Sequence, residues 1–348
     1  MDRRSVVRLT DVFVPSSPAA AAASVDAGRF SLDITRSRGW YVADCHGGLV
    51  LVVSWTLAGN NLPEIIVCDP LTRRRQGIYR PPDDQAFGAA FANAFLLDGD
   101  DGEGDGEISV SNFRVLYRFR KGSGACVFST AGGGHWRLVR TQPAAGGGNG
   151  LDPRRRSHDT GHVAGRVDGS LHLGLHTGGV VALDNASLEF SDVDLPTRMD
   201  TSPRGRYRSS FAVVHGASGG GGGPPTARIV HVRGWEMEVF RRVRHGGGGE
   251  WVLEHSVPSL DMAVRELPGC PWEDVAAVDV IAVGTGFAAV ASKGFIGRRS
   301  LRRHWQWVFS VDVDTMELKE VPVKTYRRTS WTLAYSLPWP QFLRACPC

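Results

Sequence analysis

Val180-Val181-Ala182-Leu183-Asp184-Asn185-Ala186-Ser187-Leu188-Glu189-Phe190 reads as an apolar strand, a tight turn and the start of a second strand, and Pro196 closes the unit. The same unit recurs along the chain. Upstream, Ile65-Ile66-Val67-Cys68-Asp69-Pro70-Leu71-Thr72 closes at Pro81-Pro82. Cys126-Val127-Phe128-Ser129, a glycine turn and His135-Trp136-Arg137-Leu138-Val139 close at Pro143. Downstream, Met237-Glu238-Val239-Phe240, glycines 246–249 and Trp251-Val252-Leu253 close at Pro258. The last copy, Trp307-Val308-Phe309-Ser310-Val311-Asp312-Val313-Asp314-Thr315-Met316-Glu317-Leu318, closes at Pro322. The closing prolines fall 53 to 64 residues apart. Hairpins recurring at a long, regular period mark radial repetition, because one hairpin cannot bury its apolar face alone.

Between the hairpins lie further strands. Leu49–Val53 follows a Gly-Gly turn signal, and Phe113–Phe119 alternates as a half-buried strand does. Val163–Val167, the turn Asp168-Gly169 and Leu171–Leu175 form a hairpin with a favoured turn pair. Ala227–Val232, Val278–Val283 and Phe287–Ala291 continue the pattern. Each period therefore holds about four strands, the usual content of a propeller blade. The reading is an all-β propeller of four-stranded blades. Five blades are visible in the sequence, and about six are expected. The sixth would pair the N-terminal apolar patch (Val6, Val7, Leu9, Val12–Val14) with Trp331–Tyr335, because joining the chain ends removes exposed sheet edges. Residues 1–34 read as an extension and linker, and 35–345 as the propeller domain.

The chain has 348 residues and a net charge of +4, a basic excess too small to argue for nucleic acid. No apolar stretch reaches membrane-spanning length and no secretory signal stands at the start, so a cytosolic or nuclear protein is expected. Its six cysteines (Cys45, Cys68, Cys126, Cys270, Cys346, Cys348) include no Cys-x-x-Cys pair and read as reduced thiols. Asp98–Glu107, Ala144–Gly150 and Gly216–Pro225 are acidic or glycine-rich inserts that cannot bury enough apolar surface to order themselves.

The chemical motifs are fragments. Asp159-Thr160-Gly161 spells half of an aspartic-protease site, but no second copy exists to share the proton. His158 and His162 are spaced as a His-x3-His pair without a third ligand. Read from Asp101, the acidic insert places Gly106 at position six of a calcium loop but Asn112, not glutamate, at position twelve. Gly284-Thr285-Gly286 lacks the rest of a dinucleotide fingerprint. The basic clusters Arg154–Arg156, Arg241–Arg244 and Arg298–Arg303 (the last beside Trp305 and Trp307) read as solvated loop arginines. No catalytic, cofactor or metal residues are assigned. Trp136 and Trp251, each in the second strand of a hairpin, are expected to pack between neighbouring blades. Asp69, Asp184 and Asp312, each ending a first hairpin strand, are expected to set the turn by accepting backbone N–H bonds.

Gly39-Trp40-Tyr41-Val42-Ala43-Asp44-Cys45-His46-Gly47-Gly48-Leu49-Val50-Leu51-Val52, then Ile66-Val67-Cys68-Asp69-Pro70-Leu71-Thr72-Arg73-Arg74, resembles the start of the F-box-associated, kelch-like β-propeller domain of plant F-box proteins. Cys126–Ser129 with Trp136, Gly169–His172, Leu183-Asp184 through Leu195-Pro196, and Phe309–Asp312 extend the resemblance across roughly residues 35–340. It implies a non-catalytic domain that presents a protein substrate to a cullin-type ubiquitin ligase. Such proteins dock on the ligase adaptor through an F-box. Nothing before Arg38 supplies the Leu-Pro start or helical pattern of that module, so the F-box is expected to be absent. The expected partner is a protein, with no membrane and no nucleic acid. The alternatives are a stand-alone binding propeller without a ubiquitin link, or a propeller enzyme with acids and histidines converging in a central channel.

Overall fold

The computed structural model describes residues 40–54, 65–70, 72–79, 81, 91–100, 108–119, 124–131, 133–140, 162–174, 179–199, 209–215, 226–245, 248–267, 275–284, 286–294 and 306–325. These residues form five antiparallel sheets of four strands each. The first holds β1 (Trp40–His46), β2 (Leu49–Ser54), β3 (Ile65–Asp69) and β4 (Arg74–Ile78). The second holds β5 (Phe91–Leu97), β6 (Arg114–Phe119), β7 (Gly124–Ser129) and β8 (His135–Arg140). The third holds β9 (His162–Val167), β10 (Ser170–Gly174), β11 (Val180–Asp184) and β12 (Phe190–Val193). The fourth holds β13 (Ser209–His215), β14 (Ala227–Arg233), β15 (Glu236–His245) and β16 (Gly248–Val257). The fifth holds β17 (Val275–Gly284), β18 (Phe287–Gly294), β19 (Gln306–Asp312) and β20 (Leu318–Thr325). One short helix, α1 (Leu260–Arg265), joins the fourth sheet to the fifth.

Every sheet is ordered as it is threaded, each strand pairing with the next in sequence. The recurring hairpin of the sequence is the outer half of each sheet: β3–β4, β7–β8, β11–β12, β15–β16 and β19–β20. Tight turns hold the inner halves. Gly47 and Gly48 both adopt positive φ, as do Asp168 and Gly169, which is the backbone that two-residue hairpin connections require.

The chain divides into two compact units, Met1–Thr141 with Tyr335–Cys348, and Gln142–Ala334. In the first, β1 lies beside β5, and the core between the two sheets gathers Leu51, Ile65, Val67, Leu96, Phe113 and Val115. In the second, β13 lies beside both β9 and β17. Its sheet is covered on both faces. Ile229 and Phe240 pack toward the third sheet, with Ala164, Val180 and Phe211. Val230, Val232 and Val239 pack toward the fifth, with Val278, Val290 and Phe309. This period-two division makes β14 buried from Ala227 to Val232, as strands covered on both sides are. The outer strand β4 buries Ile78 but exposes the charged Arg74 and Arg75, which blunts an open edge.

The described residues thus form five blades where six were expected, because the segments expected to build the sixth, 6–14 and 331–335, lie outside them. Three first strands, β1, β5 and β13, were not anticipated. The last two are short apolar runs, and β13 is buried from Phe211 to Val214. Such a run shows no alternation by which to be recognised.

Candidate functional site: a charged cleft at one blade junction

The recurring aspartates do what was expected of them. Asp184 Oδ1 accepts the backbone N–H groups of Ala186 (3.0 Å) and Ser187 (2.7 Å). Asp312 Oδ1 accepts those of Asp314 (3.0 Å) and Thr315 (2.8 Å), and Asp69 accepts both the N–H and the hydroxyl of Thr72. The hydroxyl three residues after each aspartate was missed in the sequence. Ser187 Oγ, Thr315 Oγ1 and Thr72 Oγ1 each accept the N–H two residues on. The residue between, Leu188, Met316 or Arg73, is forced to φ near +60°. Backbone donation from Ser187 and from Thr315 holds the carboxyls of Asp184 and Asp312 below the usual carboxylate range.

The tryptophans also take the expected place. Trp136 on β8 packs on the first unit's core, edge-on to Tyr117 and Phe128, and its Nε1–H donates to the Tyr79 carbonyl just after β4 (3.0 Å). Trp251 on β16 packs with the core between the third and fourth sheets and donates to the Asp194 carbonyl just after β12 (2.7 Å). Each therefore ties the outer strand of one blade to the end of the blade before it.

Other junctions are tied closer to the inner strands. A bulge at Ala43 turns Asp44 inward, where it is 2% exposed and accepts the N–H of Leu96 on β5 (2.8 Å). Ser210 Oγ on β13 accepts the N–H of Val280 on β17 (2.9 Å). Arg228 on β14 reaches Glu254 on β16 (2.7 Å) and Asp314 in the turn after β19. Burial pushes the thiols of Cys68 and Cys126 up to about 12 and about 11, with Arg75 pulling Cys68 slightly back, so both remain protonated and inert.

Among the described residues the remaining motifs form no common site. His158, Asp159-Thr160-Gly161, Arg154–Arg156, Arg298–Arg303 and most of the acidic insert lie outside the described residues, and His162 begins β9. Asp98 and Asp100, at the start of the insert, are held by His46 (2.6 Å) and by Ser129 and Arg114. Gly284 and Gly286 flank the β17–β18 turn. Arg241–Arg244 lie on β15 and not in a loop, a correction of the sequence reading. The hairpin runs five residues further than its apolar segment, and Arg242 stacks over the Trp251 ring (5.9 Å). Among the described residues no group of three or more His, Cys, Asp or Glu could hold a metal ion, and no helix is long and apolar enough to cross a membrane.

One cavity of about 160 Å³ is lined by side chains from two blades, two arginines (Arg198, Arg233), two glutamates (Glu236, Glu238) and the imidazole of His231. The β14–β15 register places His231 opposite Glu238 and Arg233 opposite Glu236. All four share the face of Ile229, which looks toward the third sheet. His231, 3% exposed, lies 3.4 Å from Glu238 through Nδ1. Arg198 comes from the segment leaving β12, where Pro196 and Met199 are buried and Met199 N–H closes a turn on the Pro196 carbonyl. Its Nη2 stands 3.6 Å from Glu238 Oε1. None of these five residues carried a sequence signal.

The chain's residues 41–340 match the model of the F-box protein AT5G49610-like β-propeller family. No curated protein matches. Among solved structures, the chain is similar to one in a complex of S. cerevisiae Dbp5 bound to Nup159, Gle1, IP6 and ADP (12% identity, TM-score 0.33, 81% of this chain and 58% of that one). It is also similar to a post-proline cleaving enzyme from Rickettsia typhi (10%, 0.38, 83% and 37%) and to the Cps50 (Swd1) β-propeller domain of Myceliophteria thermophila (9%, 0.35, 82% and 89%). It thus spans less than two thirds of the first of these chains. By the match over 41–340, this chain belongs to the F-box protein AT5G49610-like β-propeller family.

Proposed function

We propose that this chain is a non-catalytic protein-recognition propeller that selects substrates for a cullin-type ubiquitin ligase in the cytosol or nucleus. The observation that carries the reading is the family match across residues 41–340. The use of the chain's buried polar groups agrees with it. Asp44, Ser210 and Trp251 each spend a hydrogen bond on joining blades, and Arg228, besides bonding Glu254 within its own blade, bonds Asp314 of the next, which stiffens a scaffold and leaves recognition to the surface. Affinity capture of the tagged chain from plant extract, scored for the ligase adaptor and cullin scaffold, tests the ligase link. Recovery of both supports it. Reproducible capture of other proteins without either leaves a binding module with no ubiquitin connection.

A further inference from the structure

We propose that β16, the outer strand of the fourth sheet, takes up an extended segment of a protein partner as a fifth strand, with an apolar residue of that segment against Val252 and a lysine or arginine against Glu250. The proposal deepens the protein-recognition reading and rests on it.

The outer strands differ in how they are guarded. Among the described residues β4, β8, β12, β16 and β20 are each paired on one side only. Such a strand offers its free N–H and C=O groups to a further strand, unless charge, proline or short length prevents it. β4 exposes Arg74 and Arg75, β8 exposes Arg137, and β12 is four residues long. β20 exposes Lys319, and its Pro322 lacks an N–H. β16 runs for ten residues without a lysine, arginine or proline. Among the described residues the exposed large apolar side chains are Tyr79, Val252 and Met262, and only Val252 (43%) stands in a strand.

The register of β16 sets the chemistry of the occupant. From Gly248 opposite His245 to Leu253 opposite Phe240 it pairs with β15 without interruption. Trp251 and Leu253 turn to the core shared with the third sheet. Glu250, Val252 and Glu254 alternate with them and share the other side. There Glu254 is bonded by Arg228 (2.7 Å), and Arg241, opposite Val252, stands 3.6 Å from it. Glu250 is exposed and has no ion pair among the described residues. An added strand that brings a cation to Glu250 and an apolar side chain two residues away answers both positions, since cross-strand neighbours of opposite charge or apolar character stabilise a sheet. The edge is also held straight. Trp251 is tied to the Asp194 carbonyl, and Arg242 stacks over its ring. A strand ordered before binding lowers the entropy cost of pairing.

The test uses the full chain and three fluorescent heptapeptides, read by anisotropy at about 0.1 M salt and by amide hydrogen exchange of the chain. The first, Thr-Lys-Thr-Val-Thr-Lys-Thr, sets valine against Val252 and lysine against Glu250 in either strand direction. The second carries glutamate for both lysines. The third carries proline for the valine and for the threonine after it, which removes an N–H from each edge. The lysine peptide should bind at least about threefold more tightly than the glutamate peptide and protect amides within Gly248–Val257 and in no other outer strand, and the proline peptide should not bind. Val252→Lys should weaken the lysine peptide at least about tenfold, and Glu250→Lys should reverse the preference toward the glutamate peptide. Both side chains are exposed, so melting temperatures should stay near the parent's and report an intact fold. No binding of the lysine peptide, equal binding of the proline peptide, protection of another outer strand, or a preference that Glu250→Lys leaves in place would overturn the assignment. So would a dimer of the chain that Val252→Lys dissociates while no peptide binds, which makes a second copy the occupant. The ligase capture experiment is independent. Recovery of adaptor and scaffold by a chain that binds none of the peptides would remove the edge and leave the ligase reading standing.

Discussion

Trp251 donates its indole N–H to the backbone carbonyl of Asp194, 57 residues earlier, across the junction of the third and fourth blades. Trp136 repeats the bond to Tyr79 over the same interval in the other unit. The pair shows one structural period of the chain measured by a hydrogen bond. It also links scaffold to cleft, because Asp194 begins the segment that carries Arg198.

Replacement of Trp251 separates packing from hydrogen bonding. Trp251→Ala should destabilise the chain by about 2–4 kcal/mol, the lower part of the large-to-small range, because the ring is only half-buried. Trp251→Phe keeps much of the ring and should cost about 1–2 kcal/mol for the lost bond and reduced area. Urea denaturation followed by fluorescence measures both. An alanine variant as stable as the parent would show that the ring does not join the blades.

The turn aspartates confer a low-pH limit. The carboxyls of Asp184 and Asp312 sit below the usual range because the folded backbone donates to their charged forms. Their contribution is therefore fully present above the unfolded carboxylate range near about pH 4 and is lost as pH falls through the lower folded values. Both groups lie at the surface, so the contribution is small, a few tenths to about 1 kcal/mol each. The double variant Asp184→Asn, Asp312→Asn should show a shallower loss of stability below pH 4 than the parent. An unchanged acid limb would refute the role.

His172 sets a second window. Burial lowers its pKa, the neighbouring Arg242 and His215 lower it further, and the backbone of Ser170 and the charge of Asp168 offset this in part. Its Nδ1 is buried with no hydrogen-bond partner among the described residues. The folded state thus resists protonation that the unfolded chain accepts from about pH 6.5 downward, and stability should fall with pH below that point. His172→Gln should flatten the dependence of the urea midpoint between pH 7 and 5. A parent midpoint constant over that interval would contradict the assignment.

Gly165 sits where β9 meets β13, and a Cβ there would lie 1.7 Å from the Val213 carbonyl oxygen. The obstacle is backbone and cannot rotate away. Gly165→Ala should cost about 3 kcal/mol, the upper end of ordinary overpacking. Gly133→Ala, where nothing lies within 4 Å but φ is +96°, should cost only backbone strain of about 1 kcal/mol. Thermal melts of the two variants compare steric and conformational costs directly, and a Gly165→Ala variant melting with the Gly133→Ala variant would refute the close approach.

The repeat was legible because its code is local. The turn at Asp184 is closed by Ser187, Leu188 and Glu189 within six residues, and the same arrangement at Asp312 needs nothing from elsewhere in the chain. The ring positions of Trp136 and Trp251 followed from the period alone. The inner strands were harder: β13 has neighbours on both faces, so its apolar run carries no alternation, and the junction bonds of Asp44 and Ser210 depend on which sheet comes next. The cleft was not legible at all. Arg198 and Glu238 lie forty residues apart in no motif, and each alone reads as a surface charge. The sequence by itself determined the repeated hairpin, its turns and most of the other strands, since backbone hydrogen bonds and turn geometry act over a few residues. Only the packing of the third blade's exit segment against the fourth blade decided the charged cleft, because charges distant in the chain interact once folding brings them within a few ångströms.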